Sequence, residues 1–140
     1  MTDHVDFMAE ALKQSKLASK DGELPFGAVI VKDGTIISRG RCREVKRKTV
    51  LAHAEAEAVD KACRKLGTNK LKDCVIYCTN EPCPMCAAAI FQAKIPYVVI
   101  GASRDDLGFL RPREIDIQVL ADDSGYEIKI VRDILKQDVV

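Results

Sequence analysis

"NEPCPMCAAAI", residues 80–90, sets two cysteines on either side of Pro84 and Met85, immediately ahead of an apolar, helix-forming run. The stretch follows "CVIYCT" (74–79), a β-branched run that reads as a buried strand, and Pro82 stands where a helix would begin. A strand that runs into Cys-x-x-Cys at a helix start admits three chemistries: a redox pair, a structural metal knuckle, or part of a catalytic metal site. The spacing alone does not separate them, so the rest of the chain has to.

The flanking sequence supplies the architecture. Residues 3–19 carry Phe7, Met8, Ala11, Leu12 and Ser15 at helical spacing, with Thr2 or Asp3 as cap. Residues 26–31 and 36–39 read as two strands joined by "KDG", a hairpin. Residues 53–66 are rich in helix formers and stop at Gly67. "YVVIG" (97–101) is a further buried strand, 112–121 a short helix, 126–131 a fifth strand, and Asp133 opens a last helix. The alternation after an opening hairpin predicts an α/β fold. It is a three-layer α-β-α sandwich around a mixed five-stranded sheet, with residues 1–140 as a single domain.

Composition narrows the function classes. An apolar content of 47% with 31% charged residues describes a globular chain rather than a disordered one. Runs such as Ala87–Phe91 and Tyr97–Ile100 are too short to span a bilayer, which argues against a membrane partner. The start Met-Thr-Asp-His lacks a basic-then-apolar leader, so a cytoplasmic protein is expected. Six cysteines in such a chain point to metal binding or catalysis before disulfides. The net charge of +1 gives no global basic bias, but "RGRCREVKRK" (39–48) holds six basic residues in ten. That run is either a solvated loop or an edge that contacts phosphate.

A catalytic zinc site needs three protein ligands and an open position. Cys83 and Cys86 offer two. Of the two histidines, His4 lies at the N-terminus and is expected in solvent, which leaves His53, 30 residues before Cys83. Glu55 follows in "HAE" and would reach the same cavity as a carboxylate that moves protons rather than as a ligand. A redox pair would leave His53 and Glu55 without a task. A closed structural zinc site would need a fourth ligand, for which Cys42 is the candidate. Cys63, Cys74 and Cys78 read as small core residues.

His-x-Glu followed by Pro-Cys-x-x-Cys is the zinc deaminase signature. The chain resembles the cytidine-deaminase-like superfamily, within it the group of guanine, cytosine and tRNA adenosine deaminases. The resemblance runs through "PFGAVIVKDG" (25–34), "AHAE" (52–55), "EPCPMC" (81–86) and "IPYVVIGA" (95–102). It implies one Zn²⁺ per chain on His53, Cys83 and Cys86, Glu55 as the proton shuttle, and a homodimer. It also implies substrate contacts from Phe26, Gly27, Ala28, Cys42, Glu81, Pro82 and Asp106.

Two departures bear on the substrate. Cys42 stands where relatives place a base-contacting asparagine, and Leu51 stands where a small polar residue is usual. "GASRDD" (101–106) resembles the guanine deaminase pattern, with Asp106, or Asp105 beside it, near the base. The C-terminal stretch is similar to that of cytosine deaminases. A free nucleobase is therefore the first expectation, guanine ahead of cytosine. A tRNA adenosine deaminase is the alternative that the basic run keeps open, followed by a non-catalytic zinc module.

Overall fold

The structure, a computed structural model, describes residues 4–140. Helix α1 (His4–Lys20) leads into the hairpin β1 (Gly27–Lys32) and β2 (Thr35–Arg41), then the short α2 (Glu44–Arg47) and α3 (Ala54–Leu66). Next come β3 (Cys74–Asn80), α4 (Pro84–Gln92), β4 (Tyr97–Ala102), a 3₁₀ turn (Arg104–Asp106), α5 (Ile117–Asp123), β5 (Lys129–Val131) and α6 (Lys136–Val139). The five strands form one mixed sheet in the order β2-β1-β3-β4-β5. β1 pairs antiparallel with both β2 and β3, and β3, β4 and β5 run parallel. The expected three layers are present.

Alternation along the strands decides which helix covers which face. Val29, Val31, Tyr77 and Val99 meet Phe7, Met8 and Ala11 of α1 on one side. Ile30, Ile76, Val98 and Ile100 point the other way, into the larger core with Ala58 and Ala62 of α3 and Ile90 of α4. Two glycines set how closely the helices seat. A Cβ on Gly27 would lie 2.3 Å from the Ala11 carbonyl oxygen, and one on Gly40 would lie 2.1 Å from that of Ala54. The second contact presses the first turn of α3 onto β2, and that turn carries the candidate site residues.

The C-terminal third differs from the expected elements. Residues 112–116 are not helical: Pro112 offers no amide, and the true cap is Asp116, whose side chain accepts from the Val119 amide at 3.0 Å. The last strand is confined to residues 129–131, and positive φ angles at Asp133 and Leu135 delay the last helix to Lys136. The suggested caps Thr2 and Asp3 lie outside the described residues. His4 is not in free solvent. Its Nδ1 and Nε2 each lie 2.8 Å from a tyrosine hydroxyl, Tyr77 and Tyr97, which ties the start of α1 to β3 and β4.

Much of the basic run is bound to the body of the protein. Arg39 pairs with Glu10 at 3.8 Å, Arg41 with Asp21 at 3.4 Å and Arg43 with Glu57 at 3.0 Å. The buried Glu23 carboxylate accepts the Val45 and Lys46 amides at the start of α2. Burial opposes ionisation of Glu57, but Lys61 and Arg43 outweigh it and hold the carboxyl below its usual range. A lowered folded-state pKa stabilises above the unfolded-state value and is lost as pH falls through the folded one. Glu57→Gln is therefore expected to cost about 2 kcal/mol at pH 7. The difference from the parent protein should vanish in acid below the carboxylate range, as read by urea denaturation across pH.

Candidate metal centre and the pocket beside it

Two helix starts meet at the C-terminal ends of the parallel strands. His53 occupies the extended position just before α3, and Cys83 the equivalent position before α4, where Pro84 opens the helix. Cys86 follows one turn on and is fully buried. His53 Nδ1 lies 3.5 Å from Cys83 Sγ and 3.4 Å from Cys86 Sγ. The three ligand atoms lie within 4.8 Å of one another, the one such group among the described residues. A tetrahedral zinc with ordinary Zn–N and Zn–S bonds would hold its nitrogen and sulfur ligands about 3.6 Å apart, so these donors fit that ion. Cys42 is not in the group, and no fourth side chain closes the site.

The electrostatics agree with a cation between the sulfurs. Hydrogen bonding from Cys86 and His53 holds the Cys83 thiol down to about 4, whereas Cys83 and burial push Cys86 well up. His53 is raised to about 9, chiefly by Cys83. A dication between them removes the conflict because it favours both thiolates and a neutral imidazole. The other imidazole nitrogen, Nε2, is hydrogen-bonded to the Glu44 carboxylate. That bond fixes the tautomer with Nδ1 free for a metal. Glu44 was missed in the sequence because it lies in a run notable for its positive charge. The one clue is that it is the only acid in that run and precedes the sole candidate histidine ligand.

Glu55, in the first turn of α3, is buried, and burial pushes its carboxyl up to about 7, with the charge on Cys83 adding to the effect. A carboxyl poised there can both take and return a proton at neutral pH.

Beside these groups lies a cavity of about 160 Å³, walled by Phe26, Cys42, Glu44, Asn80 and Glu81. Gly27 and Ala28 are fully buried behind that wall, and the Gly27 amide donates to Thr79 Oγ1 at 3.1 Å. Pro82 lines an adjoining groove instead. Asp106 faces neither space. Its carboxylate accepts from the Ser103 amide and hydroxyl at 2.9 and 2.7 Å and pairs with Lys136 at 3.1 Å. Asp105 lines the groove but not the metal cavity. The Glu81 carboxylate is held by Arg132 at 2.7 Å and by the Ile117 amide at 3.1 Å. Asn80, Arg104 and Arg113 also reach the cavity, and nothing in their local sequence pattern singles them out. Among the described residues, no helix is long and apolar enough to cross a membrane.

The model for the cytidine and deoxycytidylate deaminase zinc-binding region matches residues 1–102, and the chain belongs to that family. It is a zinc-dependent deaminase, a hydrolase of C–N bonds. The tRNA-specific adenosine deaminase of Bacillus subtilis is 45% identical over 103 residues, covering 73% of this chain and 63% of that enzyme. The match thus spans less than two thirds of that relative. The guanine deaminase of the same organism is 48% identical over 82 residues, 59% of this chain and 53% of that enzyme. A solved structure from work on A-to-I editing by tRNA:A34 deaminases superposes with a TM-score of 0.83 at 31% identity, covering 96% of each chain.

Loss of the Glu44 carboxylate leaves the His53 ring free to turn. Glu44→Ala is expected to weaken zinc binding by about 10- to 100-fold. Competition against a chromophoric chelator measures it, and an unchanged affinity would show that the ring is held by other means.

Proposed function

We propose that the protein hydrolyses the exocyclic amine of adenosine in an RNA of the tRNA type, giving inosine and ammonia. This reverses the order expected from sequence, where a free base came first. The observation that carries the reading is the set of polar groups in the cavity wall. Guanine would turn its 2-amino group, the leaving amine, toward the metal, and its N1–H then needs an acceptor in the wall. The acid expected to serve, Asp106, is committed to Ser103 and Lys136 outside the cavity. Glu44 and Glu81, which do face inward, are engaged by His53 and by Arg132. Adenine presents ring-nitrogen acceptors. Asn80 lines the cavity, and its Nδ2, which donates one hydrogen to the Glu81 carbonyl at 3.3 Å, has a second hydrogen to offer such an acceptor. The similarity to tRNA deaminases and the arginines at the cavity mouth support the same reading.

In this reading His53, Cys83 and Cys86 hold the metal, which when bound supplies a water ionised near neutral pH. The base enters over Phe26 with its amine-bearing carbon toward Glu55. Glu55 accepts a proton from the attacking water and delivers it to the leaving amine, so the carboxyl returns to its starting state. One C–O bond forms, the C–N bond breaks, and water and adenosine become inosine and ammonia. Burial of Glu55 keeps that proton from exchanging freely with solvent.

Ammonia release from guanine, cytosine, adenosine and a tRNA anticodon stem-loop tests the substrate. Turnover of the stem-loop, with little or none of the free bases, is expected, and turnover of guanine alone would overturn the reading. Glu55→Ala should retain a full equivalent of zinc and lose about 10²- to 10⁴-fold in kcat.

A further inference from the structure

We propose that a cleft at the end of the sheet opposite the metal centre, walled by Lys70, Lys72, Lys94, Pro96 and Tyr126, is a second binding site and takes a phosphate group. The proposal does not depend on which base the metal centre accepts. Cys83 and Cys86 follow the last residue of β3, whereas Lys70 and Lys72 precede its first, and Lys94 and Pro96 precede the first residue of β4. The seven residues of β3 lie between the two ends, which puts them about 20 Å apart at the rise of an extended strand. The cleft has a volume of about 350 Å³ and shares no lining residue with the metal cavity.

The charge in the cleft is of one sign. Three lysines line it and no acid does. Asp73 and Glu127, the acids next in sequence to its lining residues, are exposed and lie outside it. Among the described residues, none of the three lysines forms a salt bridge. Like charges gathered without a counter-ion repel one another, and an anion between them removes that cost. A phosphate brings several oxygens that accept from ammonium groups. Its ester substituent would then rest against Pro96 and the Tyr126 ring, the apolar part of the wall.

The lysines are also held in position. The amide of Leu71, between Lys70 and Lys72, donates to the Ala93 carbonyl at 2.7 Å, and the Leu71 side chain is buried. That bond ties the loop to the end of α4. Lys94 closes α4 in the left-handed region, at φ 63°. Its amide donates to the Phe91 carbonyl at 3.0 Å and that of Ile95 to the Ile90 carbonyl at 3.3 Å, a helix end at which glycine is the favoured residue. A side chain is strained there, so the helix end itself gives no reason for a lysine. The Lys94 ammonium lies 5.0 Å from the centroid of the Tyr126 ring, a contact with the ring face that leaves N–H groups for a ligand. The ring in turn is fixed by its hydroxyl, which donates to the Ile95 carbonyl at 3.1 Å, and by Phe91, edge-on at 6.4 Å.

The test is titration calorimetry of zinc-loaded protein with inorganic phosphate, with uridine monophosphate and with a uridine-only hexanucleotide, none of which carries an exocyclic amine. Uridine is the control. At least one phosphate compound should bind where uridine does not, and the double variant Lys70→Ala/Lys72→Ala should weaken that binding about tenfold or more. Both lysines are exposed, so folding is not at issue. Preference for the monophosphate assigns the site to a free phosphate ester. Preference for the hexanucleotide assigns it to an RNA backbone, and the double variant should then lower the salt slope by about one.

Lys94→Gly separates ligand binding from a role in the helix end. It should keep or raise the melting temperature, because glycine suits the left-handed position, and still weaken phosphate binding about tenfold. Loss of stability with unchanged affinity would assign the lysine to structure and overturn the proposal. So would the absence of binding by all three phosphate compounds, or binding indifferent to Lys70 and Lys72.

Discussion

One imidazole nitrogen and two thiol sulfurs, supplied by segments 30 residues apart, must lie within 4.8 Å of each other for a single ion to be held. Much of the fold serves that constraint. β1 stands between β2, which feeds α3, and β3, which feeds α4, so register along β1 sets where the two helix starts meet. Gly40 lets α3 sit directly on β2, and the missing side chain there is what allows His53 and Glu55 to approach the end of β3. The Glu44 bond then selects the imidazole nitrogen that faces the sulfurs. Glu23, far away in sequence, keeps Glu44 in place by receiving the amides that follow it. A network of ordinary hydrogen bonds thus controls a position that a metal reads to within a few tenths of an ångström.

The charges around the site are layered. Glu44 and Cys83 crowd around His53, and a dication held there would favour thiolate at Cys86 as well. Arg104 and Arg113 line both this cavity and the adjoining groove. A neutral base can pass into the inner layer at little electrostatic cost, whereas a phosphate would be repelled there and held at the outer one.

What the sequence disclosed depended on the range of the physics involved. Elements with strong local signals, such as α4, which Pro84 opens two residues after the expected Pro82, or the β-branched β3, were legible because propensity and burial act over a few residues. The metal triplet was legible because "HAE" at 53–55 accompanies the Cys-x-x-Cys, whose spacing alone leaves a redox pair and a structural knuckle open. His4 was not, because its partners are tyrosines 73 and 93 residues away. Asp106 was placed at the right loop but not in the right direction: it caps its own turn through Ser103, a contact with no signature distinct from a base-facing acid. Glu44 escaped because composition averaged it into its neighbours. Helix α5 was started too early, at Pro112, although Asp116 is the residue that caps it.

The departures from the family pattern follow a common logic. Cys42, a thiol where the resemblance leads one to expect an amide, and Asn80 both line the cavity, and Asp106 turns away from it toward Ser103 and Lys136. A site for a free base would have to place all its discrimination inside about 160 Å³, where there is room for one ring and its immediate partners. Here the polar groups inside are largely engaged with one another, Glu44 with His53 and Glu81 with Arg132, while Arg104 and Arg113 line both the cavity and the adjoining groove. Binding energy from groups remote from the reacting carbon can then orient that carbon toward Glu55, so recognition outside the cavity contributes to rate inside it.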